Sequence, residues 1–440
     1  MQLLKHQKQG LKIAQRYNRW AFFWDTGTGK TLLGLSIIKQ KLLKTLIVAP
    51  KILLTDAWLA DAQRFYPTLS QNIINWHTIK NKYDKKKTVT NANILLINYE
   101  SLLSNKWILT DVDWELLILD ESQKIKNPKS SITKLILKNA IDIPYIYLLS
   151  GTPAPNTEME YYPQIRLLMP DKVDKSWFKF RQQWFRPTDR YGWKWKLKDK
   201  EKFLELLQQC SSVVKKEDVL DLKGQFYRDI HYSFTQMEAK HYKDMLKKML
   251  IEIDDNEISA SQAVTKLMKL RQITSGFIYN DDGKPVILGD SKFKALQQML
   301  EILGNEQIII WIQYDYEAEQ LSQLPDSAVI TGKVSDKERQ RTLSEFRNGN
   351  IQYLIAHPKT IGHGVTLTNV TKAIYYSLSY SYEEFKQSQD RIYRYGQDKA
   401  VIYYILKNEN KKIIDNVIFF ALQNKETMLN YYLDALRNSV

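Results

Sequence analysis

The sequence predicts an α/β protein: two parallel-sheet domains, a mostly helical insertion between them, and a helical C-terminal tail. Length is the first reason, because 440 residues exceed what one hydrophobic core usually serves. The second is a set of short apolar runs at 45–50, 94–98, 115–120 and 145–150, bounded by polar or turn residues and separated by stretches long enough for helices. Such runs read as strands buried on both faces, and their alternation with helices predicts a parallel sheet. The third is a later series with the same rhythm at 308–312, 328–331, 353–356, 373–376 and 401–406. Domains are therefore expected at 1–165, 166–290 and 291–440.

In chain order, the first apolar run is Ala21 to Trp24, followed by Asp25, Thr26, Gly27, Thr28, Gly29, Lys30 and Thr31, and a helical pattern opens at Leu32. A strand that stops at a Gly-rich turn feeding a helix leaves backbone N–H groups unpaired, and the helix dipole favours negative charge there. This is the place for a nucleoside triphosphate, with Lys30 reaching the β and γ phosphates and Thr31 ligating Mg²⁺. Trp24 stands where the phosphate-loop pattern has its first Gly, and its ring either stacks on a base or packs in the core. The run 116–119 delivers Asp120 and Glu121 to the C-terminal end of a buried strand, the edge at which α/β sheets bind ligands. Adjacent carboxylates there suit in-line phosphoryl transfer: Asp120 holds Mg²⁺ through its water shell, and Glu121 orients and deprotonates the attacking water.

From about 170 to 289 the rhythm breaks. An aromatic and basic segment (Trp177, Phe178, Phe180, Arg181, Trp184, Phe185, Arg186, Tyr191, Trp193, Trp195) ends in an alternating stretch, 191–196, that reads as a short strand or hairpin. It is either a stacking and phosphate platform for an unpaired strand or the hydrophobic anchor of a small domain. From 235 to 270 the pattern is helical, with Met237, His241, Met245, Leu246 and Met249 three or four residues apart, and 410–436 is helical again. Lys80, Lys82, Lys85, Lys86 and Lys87 read as a solvated loop, with a phosphate contact as the alternative.

Composition narrows the class. Hydrophobic content of 44% with 26% charged residues describes a globular chain, and 64 Lys+Arg against 49 Asp+Glu gives +15, which favours a polyanionic partner such as nucleic acid. One cysteine, Cys210, excludes an internal disulfide and a Cys-rich zinc site and suits a reducing compartment. No apolar run approaches membrane-spanning length and the N-terminus reads without a secretory segment, so no membrane association and a cytoplasmic location, bacterial or host, are expected.

Together these motifs resemble the Swi/Snf-like branch of superfamily 2 helicases and translocases, over almost the whole chain. His6 and Gln7 followed by Gly10 resemble its adenine-reading glutamine motif, and 25–31 its phosphate loop; 45–50, continuing through Lys51, Leu53 and Leu54 to Trp58, is similar to motif Ia. Asn98 to Leu102 and the Asp120–Glu121 box resemble the next two motifs, and 150–156 resembles motif III. Val213 to Leu220 is similar to the basic segment between the motor domains, and 270–273 to a later helical signature. Gly362 to Thr368 resembles motif V, and 387–397, with Gln387, Asp390, Arg391, Arg394, Gly396 and Gln397, motif VI. Ser122 and Gln123 replace the usual Ala-His, and Thr366 stands where Asn is common.

The resemblance implies two RecA-like lobes that bind ATP with Mg²⁺. Gln7, Thr26 to Thr31 and Gly364 would contact nucleotide, while Asp120, Glu121, Gln387, Arg391 and Arg394 would catalyse hydrolysis. The two arginines would act as fingers on the γ-phosphoryl group, a device giving about 10³ to 10⁵ in rate in related NTPases. Pro50, Lys51, Tyr99, Thr152, Thr360 and Thr366 would line the nucleic-acid track. The implied protein is a compact, monomeric phage- or bacterial-type motor on single-stranded, forked or duplex DNA, acting in replication, recombination or repair. An RNA helicase and a nucleotide-gated DNA-binding switch are the alternatives.

Overall fold

The computed structural model describes residues 3–79, 84–188, 195–254, 260–361 and 365–437. The chain divides into two compact units, one running to Asp221 and one from Leu222 to Asn424, with Val365 and the stretch from Lys425 counted in the first.

The first unit is built on strands β1 (Arg19–Trp24), β2 (Thr45–Val48), β3 (Ile73–Asn75), β4 (Ile94–Ile97), β5 (Leu116–Asp120) and β6 (Tyr145–Leu149). After a small antiparallel hairpin, β7 (Phe185–Pro187) with β8 (Trp195–Leu197), comes β9 (Ser211–Val214). Seven of these form one sheet in the order β3-β4-β2-β5-β6-β1-β9, every pairing parallel. The four apolar runs of the sequence are its central strands, and β2, β4 and β5 are buried along their whole length, as strands covered by helices on both faces must be.

The second unit holds β10 (Gln225–Tyr232), a hairpin of β11 (Phe277–Tyr279) and β12 (Pro285–Ile287), then β13 (Ile308–Trp311), β14 (Ser327–Ile330), β15 (Tyr353–Ala356), β16 (Lys372–Tyr375) and β17 (Val401–Asn408). Its six-stranded sheet runs β10-β17-β16-β13-β15-β14, again all parallel. Each unit has its own apolar core, the first around Phe22, Trp24, Ile47, Trp58 and Ile118 and the second around Ile308, Ile310, Ile355, Ile374 and Leu406.

The expected accessory region 166–290 is split between the two units, because β9 joins the first sheet and β10 the second. Its aromatic segment is largely core: Phe180, Phe185 and Phe203 are fully buried and pack edge-on or tilted on one another, while Phe178 is exposed. Tyr191 and Trp193 lie outside the described residues. The helix Gln236–Asp254 turns Glu238 and Tyr242 inward with Met245 and Leu246 half-buried, and leaves Met237 and His241 in solvent, so its packed face keeps only part of the apolar spacing of the sequence. Glu238 is held there because its carboxylate accepts from the Thr235 and Ser291 backbone N–H groups. Lys85 to Lys87 belong to a helix, Asp84–Thr90, rather than a loop, with Lys86 paired to Asp111 at 2.7 Å and Lys85 over the Trp76 ring; Lys80 and Lys82 lie outside the described residues. Among the described residues no helix is long and apolar enough to cross a membrane.

Candidate nucleotide site

The turn after β1 places the phosphate loop. Gly27 and Gly29 have φ of 88° and 83°, a region that costs a side-chain-bearing residue strain, and Gly29 caps the helix Lys30–Lys41. A Cβ at residue 29 would also come within 2.3 Å of Gln7 Nε2 and push that side-chain end aside. The helix Lys5–Arg16 lies against this loop: His6 Nε2 is 2.8 Å from the Thr28 carbonyl, and Gln7 donates to the Gly29 carbonyl at 3.4 Å. Lys30 is buried and donates from Nζ to the Trp24 and Asp25 carbonyls at 2.7 and 3.1 Å. Thr28 Oγ1 donates to the Asp25 carbonyl at 2.8 Å, and Thr26 and Thr31 are half-buried beside it.

Trp24 is 1% exposed, edge-on to His6 and Phe22, so it packs in the core. Its Nε1 and that of Trp20 both donate to Ser212 Oγ on β9, at 3.4 and 3.2 Å. Asp25 Oδ2 accepts from the Lys216 backbone N–H at 3.1 Å, which closes the loop against the segment following β9. A cavity of about 390 Å³ between that strand and the first helix is lined by His6, Gly10, Trp24, Val213 and Val214.

The Asp-Glu pair ends β5. Asp120 is 3% exposed; its Oδ2 accepts from Trp58 Nε1 at 2.9 Å and its Oδ1 from the Glu121 backbone N–H at 3.0 Å. Burial and the Glu121 carboxylate push the Asp120 carboxyl up to about 6, against the Trp58 hydrogen bond and the Lys30 ammonium, which favour its charge. Glu121 has φ 51° and ψ 55°, a left-handed backbone unusual for a residue other than Gly, and this turns its half-buried side chain out of the strand line. A relay follows: Gln123 Nε2 donates to Glu121 Oε2 at 2.7 Å, Ser150 Oγ donates to Gln123 Oε1 at 2.6 Å, and the Thr152 backbone N–H donates to Ser150 Oγ at 3.1 Å. Ser122, fully buried, donates to Gln164, which donates to the Pro153 carbonyl. Ser122 and Gln123, two of the departures from the family pattern, thus join the Asp-Glu turn to the turn after β6. At that turn Gly151 lies against Thr26, where a Cβ would approach the Thr26 N at 3.3 Å.

The structure brings Gln7, Thr26 to Thr31, Asp120 and Glu121 into the first unit, on the C-terminal edge of its sheet. Of the residues expected on the nucleic-acid track, Lys51 is exposed, Pro50 is buried as the cap of the helix Lys51–Leu53, and Thr152 is 7% exposed. Tyr99 is 4% exposed with its hydroxyl donating to the Asp120 carbonyl at 2.7 Å, so that hydroxyl supports the Asp-Glu turn.

The second unit carries Gln387, Arg391 and Arg394 on and just after the helix Tyr382–Gln389. Gln387 is 3.4 Å from Glu383, Arg391 is 4% exposed with its carbonyl accepting from the Leu367 N–H, and Arg394 is half-buried. Thr360 Oγ1 donates to the Ile330 and His357 carbonyls, and Thr366 accepts from Arg347 through its backbone. Gly364 lies outside the described residues.

Sequence reasoning missed Trp58 as a partner of Asp120, because the two are 62 positions apart and only the pairing of β2 with β5 brings them together. It also missed the docking of Asp25 on the segment after β9.

Comparison with known proteins gives two family matches, the SNF2-related domain over residues 6–276 and the helicase conserved C-terminal domain over 291–396. Protein p41 of Acyrthosiphon pisum secondary endosymbiont phage 1 is 25% identical over 458 residues, covering 96% of this chain and 95% of that protein. An uncharacterized ATP-dependent helicase of Mycoplasma pneumoniae is 25% identical, covering 93% of this chain and 41% of its own length. Human DNA annealing helicase and endonuclease ZRANB3 is 24% identical, with 100% of this chain and 41% of ZRANB3 covered. This chain therefore spans well under half of the last two relatives. A solved Sulfolobus solfataricus SWI2/SNF2 ATPase core in complex with dsDNA has a TM-score of 0.46 at 20% identity, covering 99% of this chain and 97% of that one.

Proposed function

We propose that this chain, which belongs to the SNF2-related domain family, is a DNA-dependent ATPase motor that couples hydrolysis to unwinding or remodelling of DNA strands. The observation that carries the reading is the pair of adjacent carboxylates at the end of β5, with the buried Asp120 carboxylate feeling the Lys30 ammonium of the phosphate loop.

In this reading the turn 26–31 wraps the triphosphate with backbone N–H groups, and Lys30 leaves its two carbonyl partners to meet phosphate oxygens. Mg²⁺ fits the residues present: Asp120 is a hard oxygen donor whose raised carboxyl would be drawn back to its charged form by a cation, and Thr31 stands in the first turn of the helix after the loop. When bound with ATP the ion would neutralise charge on the phosphates. Glu121 takes the proton of the attacking water, and Gln123 fixes the carboxylate by holding Oε2. Arg391 and Arg394 of the second unit supply positive charge to the γ-phosphoryl group. The relay from Glu121 through Gln123 and Ser150 to Thr152 supports coupling of the hydrolytic carboxylate to a segment proposed to meet the nucleic acid.

The net charge of +15 supports a polyanionic track. The test is ATP hydrolysis by the purified protein alone and with single-stranded, duplex and forked DNA and single-stranded RNA at one salt concentration. Stimulation by DNA above RNA is the expected result. Stimulation by RNA above DNA would make it an RNA helicase, and indifference to every nucleic acid would remove the motor reading.

A further inference from the structure

Asp120 is held by two side chains that arrive from outside the nucleotide loop. Tyr99, opening the helix Tyr99–Ser104 after β4, donates its hydroxyl to the Asp120 carbonyl at 2.7 Å and so pins the main chain. Trp58, fully buried, donates its indole N–H to the carboxylate at 2.9 Å. A neutral donor on a buried carboxylate makes a strong, directional bond, so the indole decides which way Oδ2 points.

Besides Asp120, Trp58 packs on the helix that follows the phosphate loop. Its ring fills a slot on the phosphate-loop helix that exists only because residue 34 is Gly, since a Cβ there would come within 2.6 Å of Trp58 Cη2. The helical run that carries it begins at Pro50 and the exposed Lys51, and between the α-helical pieces Lys51–Leu53 and Ala60–Phe65 it is π-helical, Leu54–Leu59. A π turn holds one residue more than an α turn at the same place, is rare, and recurs at functional sites. Rewinding it as α-helix rotates and shifts every side chain on it. Trp58 sits within that turn, seven residues after Lys51.

We propose that Trp58 is a positioning residue that transmits nucleic-acid contact at the Pro50–Lys51 end of its helix to the Asp120 carboxylate. The inference rests on the DNA-motor reading. Contact at Lys51 changes the winding of 54–59, the indole N–H moves relative to Asp120 Oδ2, and the carboxylate turns while Tyr99 keeps its backbone in place. The consequence falls on the coupling of DNA to hydrolysis, since Trp58 touches no reacting atom.

The experiment uses the full chain labelled with 5-fluorotryptophan. Of the 11 indole resonances, the one absent from Trp58→Phe belongs to Trp58, and Gly34→Ala, whose methyl presses on the same ring, identifies it independently. Duplex DNA added without nucleotide is expected to shift that resonance. Trp58→Phe, which keeps the ring but loses the N–H, is expected to lower the ratio of DNA-stimulated to unstimulated turnover by roughly tenfold or more, the scale found when a group orienting a metal ligand is removed. DNA affinity without nucleotide is expected to stay at the wild-type value. A purely structural role would lower both turnover rates together and leave the ratio and the resonance unmoved, which would overturn the proposal. A duplex that binds by fluorescence anisotropy without moving the resonance overturns this inference alone, whereas a duplex that does not bind at all overturns the motor reading with it.

Discussion

Glu121 combines a left-handed backbone with the proposed hydrolytic carboxylate, a conformation costing about 1 to 2 kcal/mol that the surrounding hydrogen bonds must hold. Replacing it by Gln keeps the shape and removes the base, so turnover is expected to fall by about 10²- to 10⁴-fold while a fluorescent ATP analogue still binds. Lys30→Ala is expected to abolish turnover through loss of phosphate contact, read as loss of analogue binding. Asp120 allows a stability test with a definite sign. Its carboxyl is raised from 3.8 to about 6, so between those values the folded state holds a proton the unfolded chain has released, and stability from this site falls as pH rises toward 6. The buried charge is then a cost, and Asp120→Asn is expected to match or exceed the wild type at pH 7.5, with a smaller advantage at pH 5, where most of the folded wild-type carboxyl is still protonated. Urea unfolding at the two pH values checks it, and a variant less stable at both would refute it. At this scale the sequence was legible where chemistry is local: phosphate loop and Asp-Glu pair are each contiguous. Trp58 and Tyr99 were not, because their contacts to Asp120 depend on strand order, which contiguous motifs do not encode.

Among the elements, the apolar runs announced the central strands of both sheets because runs this short, bounded by polar or turn residues, suit strands buried on both faces. The edge strand β9 was silent. Two of its four residues are Ser211 and Ser212, buried at 1% and 5%, and its partner β1 supplies the reason: two indoles converge on Ser212 Oγ. Ser212→Ala would leave both N–H groups buried without an acceptor and is expected to cost about 1 to 3 kcal/mol in urea unfolding. The strand β10 was missed for another reason, since it lies at the edge of its sheet and six of its eight side chains are not buried. Cys210, just before β9, is 2% exposed and burial pushes its thiol up to about 12. It is expected to resist a disulfide reagent at pH 8 in the folded protein and react at once in denaturant; prompt reaction without denaturant would mean that β9 does not stay docked.

Across the whole molecule the two-sheet plan was readable from the recurrence of strand patterns, while the boundary near 221 was not, because it falls between two strands that adjoin different sheets. The second unit contains a buried ion pair, Lys292 with Asp415 at 2.5 Å, in which Asp415 also accepts from Thr274 and Tyr232. It ties the start of the helix Ile414–Arg437 to the helix Ser291–Leu303, and Lys292→Ala, leaving a buried carboxylate unpaired, is expected to destabilise that unit by about 3 to 5 kcal/mol, visible as lost amide protection in both helices. The function belongs to the same scale, since the proposed hydrolytic carboxylate lies in one unit and the proposed arginines in the other. Its most direct test is steady-state phosphate release from ATP by the wild type and by Glu121→Gln, each with and without duplex DNA at fixed salt. DNA should raise the wild-type rate and leave Glu121→Gln flat near background; a wild type indifferent to DNA, or a Glu121→Gln variant that hydrolyses ATP at the wild-type rate, would contradict the account.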